Sequence, residues 1–202
     1  MSLAAEPGRA IKPARKRRVK AHAWVAEPDG WYVEPAWCSK RLFEVERFVA
    51  ECVDDPCCGI GTIARAAEAA GYSVQASDLR DRGYGFATEE DFLTSTMRRS
   101  NIVCNPPFHD IERFARHALA HTAYKVAFIV PVARLPAARW LRETPLARIW
   151  LLTPRPSMPP GHVILAGEKP GGGTADFCWL VWEQGYAGRP ELRWLHRDEG
   201  AQ

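Results

Sequence analysis

Ser100-Asn101-Ile102-Val103-Cys104-Asn105-Pro106-Pro107-Phe108 reads as a buried strand that stops at a rigid polar corner. Ile102, Val103 and Cys104 form the short apolar run expected in the middle of a parallel sheet. The two prolines carry no N–H and forbid further ladder pairing, so the strand ends at Asn105. Pro107 also pushes Pro106 into an extended conformation. What remains is a set of acceptors: the Asn105 side-chain oxygen and the carbonyls of Asn105 and Pro106, with Phe108 adding a flat apolar face. That combination suits an aromatic ring bearing an NH2 group. The same residues also fit an ordinary strand-to-helix turn with Phe108 in the core, and the choice rests on what lies upstream.

Upstream, Cys52-Val-Asp-Asp-Pro-Cys-Cys-Gly-Ile-Gly-Thr-Ile-Ala64 predicts a short strand, a glycine-rich turn and a helix over 62–70 closed by Gly71. Gly59 and Gly61 let the backbone turn sharply and approach a ligand closely. The pattern also fits a dinucleotide-binding turn, so alone it does not name the cofactor. Tyr72-Ser-Val-Gln-Ala-Ser-Asp78 predicts the second strand, and a carboxylate at its tip, Asp78, can accept both hydroxyls of a ribose. Adjacent Cys57 and Cys58 lack the gap a metal site needs, and no partner pair follows, so no metal is expected.

The corner and the loop together resemble S-adenosylmethionine-dependent amino-methyltransferases, which carry an Asn-Pro-Pro-(Tyr/Phe) motif and an Asp-Pro-Phe-x-Gly-x-Gly loop. In Asp55-Pro56-Cys57-Cys58-Gly59-Ile60-Gly61, the resemblance implies that Asp55 faces the cationic amino acid end of the cofactor. Cys57 stands where the family usually has Phe. Glu89-Glu90-Asp91-Phe92-Leu93 resembles the step that meets adenine, with Asp91 accepting from its amino group and Phe92 packing nearby. The segment Gly30-Trp-Tyr-Val-Glu-Pro-Ala-Trp-Cys-Ser-Lys-Arg-Leu-Phe43, entering a helix near Pro35, resembles the piece that closes over the methionine end, which makes Trp37 a cofactor candidate. Trp31 and Trp37 are equally readable as core aromatics, and Leu42, Phe43, Val45 and Val49 as the apolar face of that helix.

For catalysis the resemblance implies that Asn105 and the Pro106 carbonyl hold the target amine. Pro107 would keep the corner rigid, Phe108 would stack a flipped or single-stranded base, and Asn105 would also border the cofactor. Thr153-Pro-Arg-Pro-Ser-Met-Pro-Pro-Gly161 and the stretch 176–188 resemble small DNA methyltransferases of phages and prophages. The implied activity is methylation of adenine N6 in DNA. Within the class, the alternatives are guanine N2 in RNA and protein glutamine. From other classes, a nicotinamide-dependent oxidoreductase would use the glycine loop but leave the Pro-Pro corner without a role, and an inactive scaffold would bind cofactor only.

The implied fold is α/β: a single-domain, Rossmann-like class I methyltransferase with a mostly parallel seven-stranded sheet whose last strand runs antiparallel. Ile111, Phe114, Ala115, Ala118 and Leu119 predict a crossover helix. Later strands are expected at 125–131, 148–152 and 177–182. A Pro/Gly-rich loop over 154–174 offers Arg155, Met158 and His162 for substrate contact.

At 202 residues, 47% hydrophobic and 25% charged, the chain suits one soluble domain, expected over 21–202, with no membrane span and no room for a separate target-recognition domain. Residues 1–20 hold seven Lys/Arg against Glu6 and predict a basic, disordered tail able to hold phosphates. Since the whole chain is only +3, residues 21–202 are net acidic. Six irregularly spaced Cys and the absence of a signal-like N-terminus fit reduced thiols and a cytoplasmic location. The expected partner is nucleic acid, held by the cleft and the tail.

Overall fold

The structure, a computed structural model, describes Glu27 and residues 29–198; the tail expected over 1–20 lies outside the described residues. Eight strands form one sheet: β1 (Cys52–Asp55), β2 (Ser73–Asp78), β3 (Thr88–Glu89), β4 (Arg99–Cys104), β5 (Thr122–Pro131), β6 (Leu146–Thr153), β7 (Phe177–Glu183) and β8 (Glu191–His196). Their spatial order is β3-β2-β1-β4-β5-β7-β6-β8. β1 pairs in parallel with β2 and β4, and β4 with β5, whereas β7 inserts antiparallel between β5 and β6. The strand expected to run antiparallel does so. An eighth, β8, adds in parallel to the outer edge of β6.

Both faces of the central strands are buried, and the period of two sorts their side chains. Val103, Ala127 and Ile129 join Leu42 and Phe43 of α1 (Ala36–Val45) and Ile63 and Ala67 of α2 (Thr62–Ala69) on one face. Ile102, Cys104, Val126 and Phe128 join Ile111, Phe114, Ala115 and Ala118 of α3 (Ile111–His121) on the other.

α1 begins after Pro35, whose fixed φ suits a helix start. Its apolar face is narrower than the sequence suggests: Cys38, Ser39, Leu42 and Phe43 are buried, while Val45 and Val49 are exposed. The helix stops at Val45 because Glu46 turns inward. There the buried Glu46 carboxylate accepts from Lys125 Nζ at 2.9 Å, from Trp150 Nε1 at 2.9 Å and from Arg148, tying the end of α1 to β5 and β6. Burial alone would push this carboxyl up; the hydrogen bonds from Arg148, Trp150 and Lys125 outweigh it and hold the carboxyl below its usual range.

The long connection between β6 and β7 is not free of structure. It carries a short helix, α4 (Gly161–Leu165), and grips the segment that precedes α1. Val33 N donates to Pro159 O at 2.9 Å and Gly161 N to Trp31 O at 3.0 Å, on either side of a bridge between Tyr32 and Pro160. The approach is so close that a Cβ on Gly161 would lie 2.0 Å from the Trp31 ring, a distance no side chain tolerates.

Candidate active site

The carboxyl ends of β1, β2 and β4 open into one cavity of about 300 Å3, the position at which doubly wound sheets bind ligands. Residues 30–34 form one wall and residues 56–60 a second, while Asp78, Asp91, Phe92 and Asn105 reach in from the strand ends. Cys57, Gly59 and Pro107 also line it. The lining is acidic: Asp29, Glu34, Asp78, Glu90 and Asp91 are set against Arg82, the one Lys or Arg among the lining residues.

Asp78 holds the glycine loop. Its Oδ2 accepts from the Gly59 N–H at 2.9 Å, and its Oδ1 lies 3.5 Å from Arg82 Nε. Arg82 in turn reaches Asp29 at 3.1 Å and stacks on Trp31, 4.6 Å from the ring centroid. Gly59 takes φ +54°, and a Cβ there would meet Trp31 Nε1 at 2.8 Å. That indole nitrogen is buried and has no partner among the described residues.

Two buried carboxyls belong to this region, Glu34 in the cavity lining and Asp55 just before the loop that lines it. Asp55, 1% exposed, has no hydrogen-bond partner for either oxygen. Burial, reinforced by nearby Glu34, pushes its carboxyl well above the ordinary range; the Cys57 backbone tempers this without reaching normal hydrogen-bond geometry. Glu34, 5% exposed, is pushed by burial up to about 7, against the pull of its own backbone and of Asn105. No described cation pairs with either group, so a cation bound in the adjoining cavity would stabilise their charged forms.

Asn105 is oriented from both sides of its amide nitrogen. Nδ2 donates to Tyr32 O at 2.8 Å and to Glu34 Oε2 at 2.8 Å. Both donors are used and Oδ1 accepts from no described residue, so Asn105, which lines the cavity, keeps Oδ1 as a free acceptor.

The remaining residues read from the sequence divide. Pro106 is buried and outside the cavity lining. Phe108 points away from the cavity: it stacks on Tyr32 at 5.7 Å with the rings 9° apart, tilts against Phe177 at 5.6 Å, and borders a separate groove. Gly61 caps α2 in a left-handed conformation and does not line the cavity. Asp91 already accepts from Leu93 N at 3.0 Å through Oδ1, while Phe92 beside it is buried in the cavity wall. Trp37, on α1, packs against the core and lies outside the cavity lining, whose aromatic residues are Trp31, Tyr32, Phe92 and Phe114. The three loop candidates also lie outside the lining: Arg155 binds Asp176, Met158 packs on the core and His162 meets Glu27. Glu34 was not anticipated, although an acid placed between an aromatic run and the helix-starting Pro35 is a readable signal.

No protein-family model matches the chain, and no curated protein matches it. Solved structures do. A protein of Pyrococcus horikoshii assigned as an RNA methyltransferase aligns over 73% of this chain and 80% of its own, at 13% identity and a TM-score of 0.52. The methyltransferase subunit of a type I restriction-modification system from Streptococcus thermophilus aligns over 79% of this chain at 12% identity and a TM-score of 0.59. A modification subunit assigned to a type I restriction enzyme of Vibrio vulnificus aligns over 87% at 16% identity, also with a TM-score of 0.59. The chain spans about half the length of the last two, covering 46% and 49% of them. The fold is that of the Rossmann-like class I methyltransferases. Among the described residues, no helix is long and apolar enough to cross a membrane.

Proposed function

We propose that the protein is an S-adenosylmethionine-dependent methyltransferase acting on an exocyclic amine, and that this amine is N6 of adenine in DNA. The observation that carries the reading is the orientation of Asn105. With Nδ2 committed to Tyr32 and Glu34, Oδ1 is left to accept a hydrogen from an incoming NH2 group, and Pro106 and Pro107 contribute no competing donor.

The cavity fits the cofactor on charge. S-adenosylmethionine carries a sulfonium and an ammonium against a single carboxylate and is net positive, and the lining offers five carboxylates and one Arg, with orphaned Asp55 close by. A dinucleotide would bring a pyrophosphate into the same acidic enclosure, which disfavours the oxidoreductase reading. Asp78 suits the ribose hydroxyls, Asp91 and Phe92 the adenine, and Asp55 the cationic end. The cofactor supplies a methyl group activated by positive sulfur.

The protein's own part is positional. Asn105 Oδ1 aligns the amine and stabilises the positive charge that develops on its nitrogen, and that nitrogen later loses a proton to water. Glu34 and Tyr32 keep the amide from rotating. A base within a duplex does not reach such a corner, so the target is presented flipped or single-stranded. Adenine in DNA is favoured by the order of the two motifs and by the phage-like stretches at 153–161 and 176–188, and the restriction-modification subunits among the structural matches add support for DNA.

Labelled cofactor is incubated with separate DNA and RNA pools, which are digested to nucleosides for mass spectrometry. N6-methyladenine from DNA is the expected product. N2-methylguanine from RNA, or N4-methylcytosine from DNA, would overturn the substrate and leave the fold standing. Thermal stabilisation by NAD but not by S-adenosylmethionine would overturn the cofactor.

A further inference from the structure

We propose that a second, basic groove beside the Asn-Pro-Pro-Phe corner is the track on which the sugar-phosphate backbone of the substrate docks. The inference rests on the methyltransferase reading and names the surface that would present the target to it. After β5 the chain runs through tight 3-10 turns at Val132–Ala137 and Arg139–Glu143. They bring Arg134 into a groove of about 180 Å3 with Phe108 and Trp140. A neighbouring depression holds Arg139, Arg142 and Arg189. The two share Leu135, Ala138 and Leu141, so they form one connected path leading away from the corner.

All four arginines are exposed. None has a carboxylate within ion-pair distance among the described residues, whereas several arginines elsewhere on the surface do: Arg116 with Glu112 and Glu143, Arg155 with Asp176, Arg193 with Glu191 and Arg197 with Asp198. Glu112 is the one acid lining either depression, and Arg116 already holds it. A row of unanswered guanidinium groups repels itself until an anion lies along it, and their planar forks match phosphate oxygens. The cofactor cavity has the opposite balance. Charge is thus segregated, acids where a cation fits and arginines where a polyanion fits, in a chain whose net charge is only +3. Phe108 and Trp140 set aromatic faces in the same groove, where an unstacked base can rest.

The test uses the full chain. Binding of a labelled oligonucleotide is measured across salt concentrations for the wild type, for the quadruple variant R134Q/R139Q/R142Q/R189Q, and for a control, R47Q/R98Q. The control arginines are also exposed and outside any ion pair among the described residues, but do not line the track; Arg98 precedes β4 at the end opposite Asn105. The quadruple variant is expected to lose at least about tenfold in affinity at 0.1 M salt. Its log K against log salt should be shallower by about 3, since each phosphate contact contributes roughly 0.7–0.9 to the slope. Its cofactor affinity should match the wild type, which reports an intact fold. Equal slopes for the quadruple variant and the wild type, or equal losses in quadruple and control variants, would overturn the track, as would a wild type that binds no polynucleotide at low salt. A track-dependent slope without methyl transfer would leave the track standing and remove the catalytic reading.

Discussion

The side-chain amide of Asn105 donates to the carboxyl of Glu34, 71 residues earlier in the chain, at 2.8 Å. This bond joins the segment before α1 to the Asn-Pro-Pro-Phe corner and leaves the Asn105 side chain with one free polar atom. Glu34→Ala removes an acceptor and frees the amide to rotate, so the rate of methyl transfer is expected to fall on the order of 10- to 100-fold. Glu34→Gln keeps an oxygen that can accept from Nδ2 and should restore most of the rate. Single-turnover kinetics beside calorimetric cofactor binding checks this. A loss of cofactor affinity as large as the loss of rate would place Glu34 in the cofactor site and not behind Asn105.

Glu34 also sets a pH dependence of stability. Its carboxyl rises from 4.5 to about 7 on burial, so between those values the folded protein keeps a proton that the unfolded chain releases. The folded state binds more protons there, and stability falls as pH rises through the window and levels off above it. A rise of this size corresponds to about 3 kcal/mol. Glu34→Gln removes the titration and also relieves Asp55 of a neighbouring charge, an effect of the same sign. Urea unfolding at pH 5 and pH 8 should therefore show the variant gaining on the wild type by up to about 3 kcal/mol at the higher pH. A pH-independent difference would show that Glu34 titrates normally.

Much of this was legible in the chain. The apolar run 102–104, stopped by two prolines, and the acid ending β2 follow local rules, and Asn105 and Asp78 stand at the strand ends where those rules place them. Long-range contacts were not legible. Glu34 matters because β4 delivers Asn105 to it, and Phe108 is turned from the cavity by stacking on Tyr32 and packing against Phe177. β8 escaped although Glu191-Leu192-Arg193-Trp194 alternates as a strand does: the run is short, Leu192 and Trp194 face outward, and only Leu195 of its six residues is buried. The glycine of 160–161 reads as a loop residue until Trp31 is seen packed where its side chain would be.

The Glu46 cluster is a stability element that takes no part in the proposed chemistry. Glu46→Ala leaves Lys125 and Trp150 without their buried acceptor and Arg148 with Glu183 alone. Breaking a buried pair in this way is expected to cost about 3–5 kcal/mol in urea unfolding. Glu46→Gln, which keeps one acceptor oxygen, should cost less. Because the Glu46 carboxyl is held below its usual range, its contribution is present above the unfolded value and lost as pH falls through the folded one. A cost that does not shrink in acid would contradict that origin.

Asp78 and Asn105 end neighbouring parts of the sheet and should separate binding from chemistry. Asp78 anchors the Gly59 N–H at 2.9 Å and lines the acidic cavity, so Asp78→Ala removes both a ligand for the ribose and the tether of the loop that surrounds it. Cofactor affinity is expected to fall at least about tenfold, since a hydrogen bond to a charged group is worth roughly 1.5–3 kcal/mol. Asn105 offers the cavity only Oδ1, an acceptor whose use grows as charge develops on the amine. Asn105→Ala should leave cofactor affinity within a few fold while lowering the transfer rate by about a hundredfold or more. Calorimetry with the demethylated cofactor measures the first quantity and single-turnover methylation the second. If both variants lose cofactor affinity equally, Asn105 belongs to the cofactor site and the amine is held by another group; if Asn105→Ala still transfers methyl at the wild-type rate, the corner is a structural turn after all.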